Sequence, residues 1–272
     1  IGAQIYYAEG IEMLATNMLE AQPTIMTAVP RLYETMYQKI KLGIRQNNKL
    51  KEMLFNKTID LGKKRYESKR DLGFWNIIMD KILDKLVRDK VRNRFGGQLK
   101  AMVSGGAPLN PKIGIFFSAL GVPILQGYGQ TETAPLISAN LPSNPRMDTV
   151  GPPVEGTEVK IAEDGEILVR GDLIMKGYWN NKKETSKVIR DGWIHTGDIG
   201  TFVENGHLKI TDRKKDIIVN SGGDNISPQK IEGLLTIQEE IMQAAVFGDK
   251  QSYLVALIVP DETWSKSQTK DI

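Results

Sequence analysis

Two glycine-rich loops, Ser104-Gly105-Gly106-Ala107-Pro108 and Gly127-Tyr128-Gly129-Gln130-Thr131-Glu132-Thr133, each follow a short β-prone run, and this punctuation constrains the chain more than any other feature. The runs are Leu99–Val103 and Val122–Gln126. Between them Asn110 reads as a helix N-cap with Pro111 in the first turn, because an Asn side chain accepts from an orphan amide and proline has none to satisfy. Strand, loop, helix, strand in this order is the pattern of an α/β layer, in which ligands bind where loops leave the strand ends. Upstream, Glu9–Ala21 and Arg31–Phe55 have helical spacing and flank Pro23–Pro30, whose Thr24, Ile25, Thr27 and Val29 suit a strand. Phe74–Phe95 predicts a further helix, with Ile78, Ile82, Leu86 and Val91 as its apolar stripe and Lys and Arg around the rest.

From Gly151 onward the pattern changes to short strands and tight turns: Glu158–Ile161, Asp164-Gly165, Glu166–Val169, then Phe202–Val203, Asn205-Gly206, His207–Ile210. Turn signals of this type predict a small β-barrel or antiparallel sheet. The polar cluster Thr211–Asp216 reads as a linker to a compact α/β region, with a strand at Ile217–Val219, a helix opening at Ser227-Pro228 and strands at Ala244–Phe247 and Tyr253–Val259. The expected organisation is an α/β region over residues 1–144, a β-rich, barrel-like region over residues 145–211, a hinge over 212–216 and a small α/β domain over 217–272.

Composition removes several classes of function. With 272 residues, 40% hydrophobic and 25% charged, the chain can bury a sizeable core and is neither disordered nor collagen-like. It has no Cys, so thiolate catalysis and Cys-rich zinc sites are out; His195 and His207 belong to no HExxH-type spacing. The longest apolar stretch, Ile113–Leu125, is interrupted by Gly114, Ser118, Gly121 and Pro123 and falls short of the roughly 20 residues that span a bilayer. Ile1–Ala8 lacks the basic start and cleavage site of a signal peptide, and a chain opening on Ile1 reads as a fragment. The net charge of +3 is modest, but Gln38–Lys100 carries 18 basic against 7 acidic residues. Two readings of that segment stand: the solvated face of amphipathic helices, or peripheral docking on the anionic inner face of a membrane by an otherwise cytoplasmic protein. Nucleic acid is not expected, since no aromatic-interleaved basic platform occurs.

Four segments carry chemistry. In Gly127–Thr133, Gly127 and Gly129 allow close backbone approach, Tyr128 offers a ring for stacking, Thr131 a hydroxyl for a phosphate, and Glu132 a carboxylate for magnesium; taken alone, the segment reads equally as a turn with a partly buried Tyr. A dinucleotide fingerprint fails at Glu132, where a carboxylate would repel pyrophosphate. Gly105, Gly106 and Ala107 leave room for a flat ring beside the backbone, or simply connect strand to helix. In His195-Thr196-Gly197-Asp198, at the end of a short strand, an ionised Asp198 suits the two hydroxyls of a ribose, or caps a turn. In Asp212-Arg213-Lys214-Lys215-Asp216, Arg213 can bind ribose or phosphate oxygens and Lys215 or Asp212 can sit at a pivot; the same run also reads as a solvated boundary. No GxxxxGK[ST] phosphate loop occurs.

The ordered series SGGAPL, GYGQTE, GDLIMKGYWN, DGWIHTGD and DRKKDIIVNSGGDNISPQKIE strongly resembles the adenylate-forming acyl-CoA synthetase superfamily across essentially all of 1–272. Val29-Pro30-Arg31-Leu32-Tyr33-Glu34, and the basic helical segment between it and Ser104, resemble the long-chain fatty acid branch. The resemblance implies the adenylate-forming fold: a portion of a large domain with an α/β layer and a small β-barrel, a hinge, and a portion of a small C-terminal α/β domain. It implies that Tyr128 stacks on adenine, with Gly105, Gly106, Ala107 and Gly129 around it. Thr131 contacts the α-phosphate, Glu132 holds magnesium, Asp198 grips the ribose hydroxyls with Arg213 assisting, Lys215 is the hinge, and Gly223 lines the thiol passage. ATP or AMP, Mg2+ and coenzyme A are the implied cofactors, and a long-chain fatty acid is the implied substrate.

Two family elements are expected outside the chain: the Thr/Ser/Gly-rich phosphate loop before Ile1 and the adenylation lysine beyond Ile272, a role that Lys266 and Lys270 do not fit. The expectation is therefore that the isolated chain adenylates poorly. A ligase for a shorter or aryl acid, and a non-catalytic nucleotide-binding module, are the alternatives.

Overall fold

A computed structural model of the chain describes residues 2–67, 73–238, 240–262 and 264–265. Lys266 and Lys270 lie outside the described residues, as do Lys69, Arg70 and Asp71 of the basic segment. The described chain divides into two compact units, one made of Ile1–Gly129 with Ser138–Gly151, the other of Gln130–Ile137 with Pro152–Ile272.

The first unit is a helix-covered sheet. Its elements are α1 (Leu14–Ala21), β1 (Ile25–Ala28), α2 (Pro30–Arg45), α3 (Lys49–Glu67), α4 (Phe74–Leu83), α5 (Asp89–Arg94), β2 (Ala101–Ser104), α6 (Pro111–Ala119), β3 (Ile124–Tyr128) and β4 (Ser138–Ala139). The sheet order is β1-β2-β3-β4; β1, β2 and β3 run parallel, and β4 closes it antiparallel to β3. The α6 crossover begins where local chemistry predicts, with Asn110 Oδ1 accepting from the Lys112 amide at 3.0 Å and Pro111 following. Its Phe116 and Phe117 lie in the core with Tyr33, Phe55, Met102, Leu120 and Ile124. Burial of one such aromatic contributes about 1.5–3 kcal/mol. The Tyr37 ring meets Phe116 edge-on at 4.7 Å.

Two helical expectations need correction. Arg31–Phe55 is two helices broken at Gln46–Asn48, and the second runs on to Glu67. The stripe Ile78, Ile82, Leu86, Val91 is not a buried face: the first three are exposed, along with Phe74, Trp75 and Met79, and Val91 alone packs against the core. The inward positions are Asp80, Leu83 and Arg88. Arg88, 4% exposed, donates to Asp80 Oδ1 at 2.6 Å and to the Ala119 carbonyl at 2.6 Å, so a compensated ion pair occupies the place where periodicity alone puts aliphatic residues. A five-residue π segment, Asp84–Arg88, joins α4 to α5 and shifts the phase of the face between them.

The second unit holds β5 (Thr157–Ile161), β6 (Glu166–Gly171), α7 (Lys182–Val188), β7 (Ile189–Arg190), β8 (Trp193–Val203) and β9 (His207–Arg213), then β10 (Ile218–Val219), β11 (Asn225–Ile226), α8 (Pro228–Leu235), β12 (Ile241–Phe247) and β13 (Val255–Pro260). The first five strands form one antiparallel sheet in the order β5-β6-β8-β7, with β9 paired to the second half of β8. The β8–β9 turn uses Asn205 and Gly206 at φ +62° and +70°, the left-handed pair of a tight hairpin. Beyond β9, β10 pairs with β11, α8 opens on Ser227, whose hydroxyl accepts from the Lys230 amide, and β12 pairs antiparallel with β13. Among the described residues no helix is long and apolar enough to cross a membrane.

Candidate functional site

The sequence places Asp198 at the end of a short strand; the structure puts it inside β8, on a bulge. Opposite β6, His195 faces Leu168 and Ile199 faces Glu166, so Thr196, Gly197 and Asp198 fill an interval that β6 spans with Ile167 alone. Bulges bend a strand and re-aim its side chains, which here sends the Asp198 carboxylate toward two donors. Gln130 Nε2 donates to Asp198 Oδ2 at 2.9 Å, and Arg213 Nε donates to Oδ1 at 3.2 Å. Asp198 is 4% exposed, while the Arg213 side chain is 59% exposed. A buried carboxylate held by one neutral and one cationic donor is fixed in direction, and its oxygens are aimed as acceptors, the chemistry that vicinal hydroxyls need.

Arg213 arrives there because much of the polar run Thr211–Asp216 belongs to the sheet. Arg213 pairs in register with Asp198, and Asp212 with Ile199. The alternation of β9 continues to Arg213, and the polar character of Thr211–Arg213 disguises it. The turn proper is at 214–216, where the Asp216 amide donates to the Arg213 carbonyl. Lys215 is exposed in that turn.

The segment 130–133 is held by backbone and side chain. Gln130 Nε2 also donates to the Thr196 carbonyl at 2.9 Å, and Thr131–Thr133 form one 3-10 turn. Thr131 is exposed and Glu132 half-buried. Tyr178 donates its hydroxyl to Glu132 Oε1 at 2.9 Å, and burial together with that bond raises the Tyr178 pKa above its ordinary value. Glu132 Oε2 has no hydrogen bond among the described residues, so the group fits a hard cation that takes one carboxylate oxygen and fills its shell from water and phosphate.

Beneath the bulge lies a cluster that residue type alone does not reveal. Glu166 Oε1 accepts from the Gly197 amide at 2.9 Å, Oε2 lies 3.1 Å from His195 Nδ1, and Lys214 Nζ reaches Oε2 at 3.3 Å and Asp164 Oδ2 at 2.5 Å. Burial alone would raise the Glu166 pKa; the bonds from His195, the Gly197 amide and Lys214 outweigh it and bring it below the ordinary value. Glu166, Lys214, Gln130 and Tyr178 carry weak signals in the sequence. The clearest is an acid opening the strand Ile167-Leu168-Val169.

In the first unit, Gly105, Gly106 and Ala107 form the loop after β2, with Gly106 at φ +82° and both it and Ala107 exposed. Gln126 steadies this loop: Oε1 accepts from the Leu109 amide at 3.3 Å while Nε2 donates to the Met147 carbonyl at 2.8 Å. Tyr128 ends β3, buried and paired with Ser138, and Gly129 follows it half-buried. Gly223, at φ +85°, lies in a loop where Asn220 Oδ1 accepts from the Gly222 and Asp224 amides. Gln130, Asp198 and Arg213 are thus brought together by side-chain bonds, and Glu132 with Tyr178. Lys215 and Gly223 make no side-chain bond to either group among the described residues.

Comparison with known proteins gives a consistent result. Residues 1–179 match the AMP-binding enzyme family and residues 215–272 the AMP-binding enzyme C-terminal domain. The long-chain-fatty-acid–CoA ligase FadD15 of Mycobacterium tuberculosis is 34% identical over 97% of this chain and 45% of its own length. The peroxisomal long chain acyl-CoA synthetase 6 of Arabidopsis thaliana is 34% identical over 98% of this chain and 40% of its own length. The chain therefore spans somewhat under half the length of these curated relatives. Among solved structures, O-succinylbenzoate coenzyme A synthetase of Bacillus subtilis in complex with AMP superposes with a TM-score of 0.64 at 22% identity, over 93% of this chain and 44% of that one. The A-PCP didomain of carboxylic acid reductase from Segniliparus rugosus, in complex with AMP, gives 0.65 at 21% identity, over 94% of this chain and 33% of that one. These two establish the fold, a partial adenylate-forming α/β architecture.

Proposed function

The chain belongs to the AMP-binding enzyme family, and from that premise we propose that it is the nucleotide-binding and C-terminal portion of a long-chain fatty acid–CoA ligase. The reaction is the attack of a fatty carboxylate on the α-phosphate of ATP, giving acyl-adenylate and pyrophosphate, followed by displacement of AMP by the thiol of coenzyme A. The observation that carries this reading is the Asp198 carboxylate, buried and aimed by Gln130 and Arg213.

Asp198 accepts from the ribose hydroxyls and Arg213 assists. The ring of Tyr128 and the small residues Gly105, Gly106, Ala107 and Gly129 receive adenine, and Thr131 donates to the α-phosphate. Glu132 would hold magnesium, which when bound neutralises phosphate charge that a carboxylate nucleophile must approach. The first step needs alignment and charge neutralisation more than proton transfer, and every side chain assigned here supplies one or the other. For the second step, residues 217–272 turn about Lys215 in the turn 214–216, since Asp212 and Arg213 of the expected hinge 212–216 are held in β9, and Gly223 lines the thiol passage. In this reading the large domain covers the α/β region of residues 1–144 and the β-rich region of residues 145–211.

A second reading concerns the exposed face of α4 and of the π segment Asp84–Arg88 that follows it. Exposed Phe74, Trp75, Ile78, Met79, Ile82 and Leu86 beside Lys81 and Lys85 suit peripheral contact of a cytoplasmic enzyme with an anionic membrane surface, where long-chain acids reside. Binding to anionic liposomes that falls with added salt supports this; salt-insensitive binding or none removes it.

The test of the main reading is ATP–pyrophosphate exchange with acids from acetate to oleate, on this chain and on a form extended at both ends. Exchange in the extended form, peaking with long acids, is expected. A peak at short or aryl acids moves the reading to another ligase. AMP binding without exchange in either form reduces it to a non-catalytic nucleotide-binding module.

A further inference from the structure

We propose that Glu166 is a positioning residue for nucleotide recognition, holding the Thr196–Gly197–Asp198 bulge in the conformation that aims the Asp198 carboxylate at its ligand. The inference rests on the reading of Asp198 as the ribose-binding group.

A bulge that sets three residues against one leaves amides without ladder partners, and a buried unpaired amide is costly. The two amides at its centre are satisfied by side chains. The Gly197 amide donates to Glu166 Oε1 at 2.9 Å, and the Asp198 amide donates to Thr196 Oγ1 at 3.1 Å. The Thr196 hydroxyl in turn donates to the Ile167 carbonyl at 2.7 Å. Gly197 itself sits at φ +71°, a conformation that bends the strand and that glycine adopts without strain. Its carbonyl is held as well, accepting from the Lys214 amide at 2.8 Å. Both faces of the bulge are therefore fixed, one by Glu166 and one by the residue that follows Arg213.

The charge of Glu166 points the same way. Its neighbours Ile167, Leu168 and Val169 are buried aliphatic residues, and sheet packing gives no reason for a carboxylate beside them. Burial of an unpaired carboxylate is unfavourable, so its retention needs the partners it has: the Gly197 amide, His195 and Lys214. Asp164 and Lys214 complete the cluster, and Glu163 and Arg190 line the open depression beside it. Glu166 thereby ties the inner side of the bulge to the start of the turn that carries Lys215. Its effect on ligand runs through Asp198, since its own oxygens are committed to protein donors.

The test is a comparison of ribose-hydroxyl selectivity by calorimetric titration of the chain with AMP and with 2′,3′-dideoxyadenosine monophosphate. In Glu166→Ala the preference for AMP over the dideoxy analogue is expected to fall about tenfold, the scale of one charge-assisted hydrogen bond. Thr196→Val, which loosens the same bulge from its other amide, is expected to do likewise and serves if Glu166→Ala folds poorly by circular dichroism. Glu166→Gln, whose amide oxygen can still accept from Gly197, is expected to keep the preference to within about threefold. A preference unchanged in both Glu166→Ala and Thr196→Val, or equal weakening of both ligands, overturns the positioning role while leaving the function intact. A wild-type chain that shows no preference for AMP overturns the reading of Asp198 and this inference with it.

Discussion

The hydroxyl of Tyr178 donates to Oε1 of Glu132 at 2.9 Å across 46 positions of sequence. The bond fixes one oxygen of the carboxylate assigned to magnesium and leaves the other available. Tyr178→Phe keeps the ring and frees the carboxylate to rotate. Because Tyr178 is partly exposed, water replaces much of the lost bond, and the cost is at the low end for a charged acceptor. The expected result is a rise of about threefold in the Mg2+ concentration that half-saturates pyrophosphate exchange by the form extended at both ends, with the acid preference unchanged. An unchanged magnesium dependence separates Glu132 from the metal.

The buried pair Asp80–Arg88 supports a prediction on stability. Removing one member of a buried ion pair strands the other, at about 3–5 kcal/mol. Arg65 also reaches Asp80, at 3.1 Å, but from a largely exposed position, so it offsets little. Arg88→Ala is expected to lower the unfolding free energy by about 3 kcal/mol in urea, and the double variant Asp80→Leu with Arg88→Met to recover most of it. If the double variant is as unstable as the single one, shape rather than charge holds Arg88 against Ala119.

What can be read from the sequence separates by the range of the physics involved. The Asn110-Pro111 and Ser227-Pro228 helix starts and the Asn205-Gly206 hairpin are set by a few adjacent residues, and all appear where expected. The Asp198 bulge is not legible, because it arises from a register difference between β6 and β8 that neither strand contains alone. The face of α4 is misleading for a related reason. Aliphatic periodicity at Ile78, Ile82 and Leu86 is a local signal, and the burial of Asp80 with Arg88 depends on the Ala119 carbonyl far along the chain. Asp198 and Arg213 each stand out by residue type, but their pairing across β8 and β9 comes from the sheet. Glu166 does not, since an acid at a strand start is common and its partner amide lies on the bulge.

The packing of α3 on α6 gives a sharper test of the first unit. A Cβ at Gly62 would stand 2.3 Å from the Ala119 Cβ and 2.5 Å from its Cα. In a helix interior, Gly to Ala ordinarily stabilises by about 1 kcal/mol. Forcing a methyl into a filled contact costs about 1–3 kcal/mol, and here the obstacle is backbone that cannot rotate away. The steric cost outweighs the propensity gain, so Gly62→Ala is expected to be net destabilising by about 1–2 kcal/mol in chemical denaturation. A stabilised variant means that α3 can move off α6 without loss.

Acid sensitivity follows from carboxylates whose pKa values fall on folding. Glu166 is one, its burial outweighed by donors from His195, Gly197 and Lys214; Asp84 is another, lowered chiefly by its hydrogen bond to Arg92. A group lowered on folding binds fewer protons folded than unfolded, so its contribution is complete above its unfolded value and is lost as pH falls through the folded one. For glutamate the loss therefore sets in as pH falls toward the free value of about 4.3 and continues downward. Half-buried Glu34 acts in the opposite sense, since burial raises its pKa and its cost disappears on protonation. The urea midpoint is expected to drop between about pH 5 and 3, and in Glu166→Gln to drop less steeply while Asp84 keeps some of the slope. Equal slopes for the variant and the parent chain mean that Glu166 is as readily protonated in the folded protein as in the unfolded chain, which its donors at Gly197, His195 and Lys214 do not allow.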